Sequence, residues 1–462
     1  MVESLAQRSL RAIWHPCTQM WQAHRDPPLA VARAHGPWLE LEDGQRLFDG
    51  ISSWWVNLLG HGHPRVVAAI KEQLDTLSHV MLAGCTHRPA VELAEALSAL
   101  TQGHLGHCFF ASDGASAVEI ALKMSAHSMH ANGQTGRNRF VCLSQSYHGE
   151  TLGALSVTDV PIFREAYAPL IREPILVPSP DPRLAPAGVS DAVWAEQAAR
   201  ALERALDSHG ASICALILEP LVQGAAGMAM YPPAYLKRAR ALTRARGIHL
   251  IADEIAVGCG RTGTFFAWEQ ALSGASQAQD WPDFICLSKG ISGGFLPLSL
   301  VLTQTRVFQA FYHPDVRRGF LHSHSYSGNP LACRAALTVL EVLREEELLQ
   351  KTAIAARELT NALYEALRPA IELGAVQHFR NLGSIWAVDI SPAYFDANRI
   401  RQIRETARIK GLLIRPIGPS VYLMPPLVLH EGHVEWLAAV FAQSILENLT
   451  HHAAGQTPPT LA

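Results

Sequence analysis

His249-Leu-Ile-Ala-Asp253-Glu254-Ile-Ala-Val-Gly258-Cys-Gly260-Arg261-Thr262-Gly263 is the stretch on which the reading of the chain turns. Leu250, Ile251 and Ala252 form a short apolar run that ends on two acids. That is how a strand reads when it is buried in a sheet and presents charge only at its carboxyl edge. Three chemistries fit such an ending. A strand closing on Asp-Glu can hold magnesium in a P-loop ATPase, but that site needs GxxxxGK[ST], and no Gly-Lys pair occurs in the sequence. Gly258-x-Gly260-x-x-Gly263 matches a dinucleotide fingerprint, which should open a helix directly after a strand. Here the acids intervene, and the bulky Thr264-Phe-Phe-Ala-Trp268 follows. In the third reading, Asp253 faces a cofactor's pyridine nitrogen and keeps it protonated, which makes the ring an electron sink.

The third reading demands a lysine able to form a Schiff base. The chain has only six lysines, and 71, 123, 237, 351 and 410 lie in helical, polar-faced settings. Lys289 instead ends the apolar run Phe284-Ile-Cys-Leu-Ser-Lys289 and precedes Gly290-Ile-Ser-Gly293-Gly294. It is expected at a carboxyl edge, where ligands bind in α/β folds. Desolvation there would depress its pKa and make it nucleophilic. Ser112-Asp113-Gly114-Ala115-Ser116 follows another apolar run and opens a helix, so its backbone N–H groups offer either an ordinary N-cap or a phosphate cradle.

Outward from these residues the pattern alternates. Apolar runs at 107–111, 139–143, 213–218, 249–252, 284–287 and 298–302 are separated by helical segments such as 116–129 and 234–246. The fold class is α/β, with a largely parallel sheet covered on both faces. We expect a large domain over 64–335 and a smaller α+β domain from 1–63 with 336–450. The polar tail 451–462 is expected to fray. Pro178-Ser-Pro-Asp-Pro reads as a surface loop.

The 462 residues are 48% hydrophobic and 17% charged, with a net charge of −3. That excludes a disordered chain, and the lack of basic clusters argues against a nucleic-acid partner. No apolar stretch reaches membrane-spanning length and no signal-peptide core opens the chain, so a soluble, cytoplasmic protein is expected. The scattered cysteines suggest neither disulfides nor zinc. His61-x-His63 and His322-x-His324 have metal-like spacing but no third ligand group, and no metal is expected.

Together these residues resemble the class III (fold type I) pyridoxal-phosphate aminotransferases. The likeness rests on Asp113-Gly114, Tyr147-His148-Gly149, Glu219-Pro220, Asp253-Glu254, Gly260-Arg261-Thr262-Gly263, Ser288-Lys289-Gly290 and Gly328-Asn329-Pro330, and it runs from about 14 to 430. Trp14-His15-Pro16-x-Thr18-Gln19, Ser52-Ser53-Trp54-Trp55, Gly224-Ala-Ala-Gly227-Met228, Arg415-Pro416 and Tyr422-Leu-Met424-Pro425-Pro426 are similar to one branch of that family. Its members pass an amino group from S-adenosylmethionine to 8-amino-7-oxononanoate in biotin biosynthesis.

The resemblance implies pyridoxal 5'-phosphate as cofactor, held by Lys289 with Asp253 on the ring nitrogen and Tyr147 on the ring face. It implies that Gly114 and Ala115 cradle the phosphate, with Ser325 reaching it from the neighbouring subunit of a homodimer. It further implies that Arg415 clamps the acceptor's carboxylate, that Trp54 and Trp55 wall the pocket, and that Arg261 tunes substrate recognition. Cys17 stands where the family commonly has an aromatic, Ala115 where Ser is usual, and Glu150 where Asp is common. Cys17 and Glu150 bear on the amino donor, for which lysine or another ω-amine is the alternative. A nucleotide-dependent oxidoreductase using Gly258–Gly263 is the alternative from another class.

Overall fold

The computed structural model describes residues 3–274 and 276–449; the expected tail 451–462 lies outside the described residues. A seven-stranded sheet forms the centre. In chain order its strands are β1 (His107–Ala111), β2 (Arg139–Leu143), β3 (Ile175–Val177), β4 (Ile213–Leu218), β5 (His249–Asp253), β6 (Phe284–Leu287) and β7 (Ser299–Thr303). Across the sheet they lie in the order β1-β7-β6-β5-β4-β2-β3. The run from β6 to β3 is parallel, and β7 is antiparallel to both neighbours. The mainly parallel α/β fold is therefore the one expected from the apolar runs.

Every residue of β4, β5, β6 and β7 is buried. Side chains alternate between faces, as the two-residue period of a strand requires. Ile217, Ile251, Phe284 and Val301 pack with Val118, Ala121 and Leu122 of the helix Gly114–Ala131. Leu216, Leu250, Ile285 and Leu300 pack on the opposite face with Leu202, Leu236 and Val339. Those three belong to the helices Asp191–His209, Pro233–Ala245 and Pro330–Glu345. Burial on both faces explains why these strands read as continuous rather than alternating apolar runs.

A second body pairs strands Val376–Leu382, Ile385–Ile390 and Ser420–Leu423 beneath the helices Leu348–Glu372 and Glu431–Leu449. The N-terminal strands Val31–His35, Trp38–Leu41 and Arg46–Asp49 join it through Leu412–Leu413, which pairs in parallel with the last of them. A division at 335 would fall inside the helix Pro330–Glu345, which packs on Pro64–Thr76 and Arg88–Leu100.

Two local expectations change. Ser179 and Asp181 are buried, so the Pro-rich stretch is not a surface loop. The Ser179 hydroxyl bonds the Gln223 side chain, and the Asp181 carboxylate binds Arg183 at 2.8 Å. Gly258–Gly263 opens no helix: the chain turns through it and reaches only the short 3-10 segment Ala267–Ala271. A dinucleotide fingerprint needs the helix N-terminus that this segment lacks. Among the described residues, no helix is long and apolar enough to cross a membrane.

Candidate active site

The expected chemical residues converge at the carboxyl edge of the large sheet, because each follows a different strand. Gly114 comes after β1, Tyr147 after β2, Glu219 after β4, Asp253 ends β5 and Lys289 follows β6. Asp253 is 4% exposed, and its Oδ2 accepts the His148 Nδ1 proton at 2.6 Å. Its Oδ1 accepts the Ile255 N–H at 3.1 Å. His148 Nε2 is buried with no partner among the described residues. The neighbouring Glu254 turns away from this cluster: it accepts the N–H groups of Ala267 and Trp268 at 2.7 and 2.8 Å. Burial pushes Glu254 up to about 8, so the two adjacent acids do separate work.

Lys289 Nζ lies 4.9 Å from the centre of the Trp55 ring and makes no hydrogen bond or ion pair among the described residues. Burial lowers its pKa, and Asp253 and Glu219 act against that lowering. Its φ of 47° is left-handed, a backbone conformation that non-glycine residues rarely adopt.

Glu219 accepts the Tyr147 N–H at 3.1 Å and the Gly224 N–H at 2.9 Å. Burial raises it to about 7, with His148 pulling it down and Asp253 pushing it up. The Tyr147 hydroxyl donates to Glu150 at 2.9 Å, and its ring packs against Phe163 at 5.5 Å. Burial and Glu150 hold that hydroxyl protonated.

Gly114 starts a helix capped by Asp113, whose carboxylate accepts the Ser116 N–H at 2.9 Å. Two close approaches tie this helix end to the rest. A Cβ on Gly114 would lie 3.1 Å from Ile255, and one on Gly149 would lie 2.6 Å from the Ala115 Cβ.

Ser52, Ser53, Trp54 and Trp55 all have positive φ, between 48° and 73°. A left-handed conformation costs roughly 1–2 kcal/mol per L-residue, so the surroundings must hold it. Ser53 donates through N and Oγ to Asp49 at 2.8 and 2.7 Å, Ser52 Oγ donates to Met424 O at 2.8 Å, and Trp55 Nε1 donates to Tyr422 at 3.0 Å. The turn buries Trp55 over Lys289 and leaves Trp54 outside, where Arg415 stacks on it at 4.4 Å.

Arg415 is exposed, donates to Cys17 O at 3.4 Å and has no acidic partner among the described residues. Cys17 is exposed beside it and close enough to weigh on the Tyr147 hydroxyl. Arg261 sits differently from the expectation of a substrate contact. It is fully buried, is pushed down to about 10 by desolvation, and donates to the carbonyls of Asn57, Trp55 and Pro425. From there it braces the tryptophan turn. Ser325 is exposed, and its carbonyl accepts from His79 at 2.8 Å.

Motif reading named His148 and Glu219 without giving either a role. The signal for His148 was its place directly after Tyr147, but contact with Asp253 requires β2 and β5 to lie in one sheet. The metal-like histidine pairs have other partners: His61 binds Asp49 at 2.9 Å, and the His322 Nδ1 lies 2.8 Å from Lys123 Nζ.

Residues 20–445 match the family described as aminotransferase class III, and the chain belongs to it. It is 41% identical over 449 residues to an adenosylmethionine-8-amino-7-oxononanoate aminotransferase of Helicobacter pylori, covering 97% of this chain and 98% of that one. A crystal structure of the enzyme so named from Methanocaldococcus jannaschii superposes with a TM-score of 0.86 at 30% identity, over 96% of this chain and 98% of that one. An omega transaminase from Pseudomonas jessenii, in complex with PMP, gives a TM-score of 0.90 at 26% identity, over 98% of this chain and the whole of the other. The chain is thus a pyridoxal-phosphate-dependent transaminase of fold type I.

Proposed function

We propose that this transaminase moves the amino group of S-adenosylmethionine to 8-amino-7-oxononanoate, giving 7,8-diaminononanoate. The observation that carries the cofactor site is Lys289. Its amine has no partner among the described residues and feels the charge of a carboxylate buttressed by histidine. The residues present fit pyridoxal 5'-phosphate. The unpartnered amine would take the aldehyde, Asp253 the ring nitrogen, and the N-terminus at Gly114 and Ala115 the phosphate. When bound, the cofactor supplies an electron sink and carries the amino group between the two substrates.

The protein's part is to hold, orient and move protons. Lys289 Nζ takes the proton from the substrate carbon and returns it, aided by a lowered pKa. The His148 N–H fixes the Asp253 carboxylate, which would pair with the cofactor's ring nitrogen. Tyr147 and Trp55 wall the cleft and exclude water. Arg415, with no acidic partner among the described residues and its guanidinium over the Trp54 ring, would bind the acceptor's carboxylate.

Full-length likeness to relatives of that name supports the substrate pair. Cys17 and Glu150 both act on the Tyr147 hydroxyl, so lysine remains the donor to compare against S-adenosylmethionine. Ser325 faces outward within a segment where Leu321 is 77% and Tyr326 65% exposed. We assign this segment to the contact with a second copy, where Ser325 would serve the partner's phosphate. The same reading makes the protein cytoplasmic, and divides it into a large domain carrying the cofactor edge and a small domain built on the three-stranded sheet.

The test is Lys289→Ala. The purified variant should bind cofactor without the lysine-linked absorbance and should lose turnover. A yellow, active variant would contradict the assignment.

A further inference from the structure

The segment Glu219–Met228 leaves the end of β4 and is gripped at both ends by buried polar groups. At its near end, Glu219 joins Tyr147 to Gly224 through two N–H bonds. Gly224 packs closely, since a Cβ there would stand 3.1 Å from the Trp55 ring. The far end is held by residues that the proposed chemistry does not use. Arg380, on the strand Val376–Leu382, donates Nε to Met228 O at 2.9 Å and a terminal nitrogen to Gly227 O. Arg183 donates to Ala226 O at 2.8 Å.

Both guanidinium groups converge on Asp389 of the strand Ile385–Ile390, at 2.8 Å from Arg380 and 3.1 Å from Arg183. The Ser420 hydroxyl donates to the same carboxylate at 2.6 Å. Gly227 fits against this cluster so closely that a Cβ would reach within 2.2 Å of Ser420 Oγ. The Arg380 and Asp389 side chains are 10% and 7% exposed. A desolvated, multiply bonded cluster holds its geometry in a way that a surface ion pair does not.

We propose that Arg380 and Arg183, anchored on Asp389, are positioning residues for the cofactor site. By pinning the carbonyls of Ala226, Gly227 and Met228, they keep the Gly224 N–H on Glu219. Glu219 in turn keeps the Tyr147 and Trp55 walls at a fixed separation. The small sheet thereby fixes the width of a cleft whose reactive groups all belong to the large sheet. This rests on the reading of the cleft as a pyridoxal-phosphate site.

If the far end is released, Gly224 leaves Glu219, and the Glu219 carboxylate loses one of its two N–H donors. Its ionised form is then less favoured, and its electrostatic support for a protonated Lys289 weakens. Glu219 is faced by His148, Asp253 and Lys289, and its own carbonyl accepts from Tyr231, so these groups share the change.

Arg380→Lys keeps the charge and loses the planar fork, and Asp389→Asn removes the anchor's charge. Each variant is measured in three ways: titration of pyridoxal phosphate into cofactor-free protein, the pH midpoint of the lysine-linked absorbance, and amide exchange of residues 219–230 without cofactor. We expect cofactor Kd to rise roughly tenfold, the loss of about one charge-assisted hydrogen bond. The absorbance midpoint should move to lower pH, and exchange in that segment should accelerate. A lowered Tm with wild-type Kd and midpoint would overturn the proposal by reducing the cluster to a structural tie. Ser420→Ala, which removes one contact to Asp389, carries the same test if the charge variants do not fold. It should shift Kd and midpoint in the same direction by less, and unchanged values would overturn the proposal equally. A wild-type protein without any lysine-linked absorbance would instead sink the reading of the cleft.

Discussion

Arg415 is an arginine on a protein surface, and most of those do little. Its setting distinguishes it: the guanidinium carbon lies over the Trp54 ring, 4.4 Å from its centre, with no acid paired to it among the described residues. A stacked, unpaired fork is preorganised for a carboxylate. Arg415→Ala should therefore raise the KM for 8-amino-7-oxononanoate roughly tenfold to a hundredfold, the loss of a hydrogen bond to a charged group. A methyl ester of the acceptor should respond far less, and steady-state kinetics with both compounds checks it. At this scale much of the site is legible in the sequence. Asp253 and Lys289 stand out because each ends an apolar run, and charge at the end of a buried strand has few other reasons to be there. Arg261 is the opposite case. Its motif is plain, but only the fold shows its two terminal nitrogens donating to the carbonyls of Pro425 and Asn57.

At the scale of elements, the left-handed turn Ser52–Trp55 and the close meeting of Gly149 with Ala115 set the shape of the cleft. Gly149 has φ 119°, and a Cβ would press to 2.6 Å from one Ala115 atom and 3.0 Å from another. Gly149→Ala should cost about 1–3 kcal/mol by overpacking and should weaken cofactor binding, because Ala115 lies in the first turn of the helix expected to receive the phosphate. Thermal unfolding of the cofactor-free variant and a cofactor titration separate the two effects. The long buried strands were legible because burial on both faces writes an unbroken apolar run. β3 was not, since it has three residues and its central Leu176 is exposed. The strands between Val31 and Asp49 were equally hidden. They are short and partly exposed, and they are completed by Leu412–Leu413 from the far end of the chain.

The whole molecule joins two bodies, and its stability carries a pH signature from buried groups. His249 opens β5 at the end away from Asp253, with Ser125 on its ring at 2.9 Å, and burial lowers its pKa to about 4. The folded state thus holds fewer protons than the unfolded state between about pH 4 and the ordinary histidine value near 6.5. The His249 contribution to stability is lost as pH falls through that window, at up to about 1.4 kcal/mol per pH unit, while buried Glu219 and Glu254, raised to about 7 and 8, act in the opposite direction. His249→Asn should be less stable at neutral pH yet lose less on acidification, so urea midpoints of the two proteins should converge towards pH 4. A constant gap would show that His249 does not titrate on unfolding.

The central claim concerns chemistry, and one absorbance experiment reaches it most directly. S-adenosylmethionine alone is added to the cofactor-loaded enzyme, followed by 8-amino-7-oxononanoate. The lysine-linked band should bleach with the first and return with the second. A band that ignores S-adenosylmethionine and bleaches with lysine would contradict the donor assignment, and the absence of any such band after cofactor is supplied would contradict the account itself.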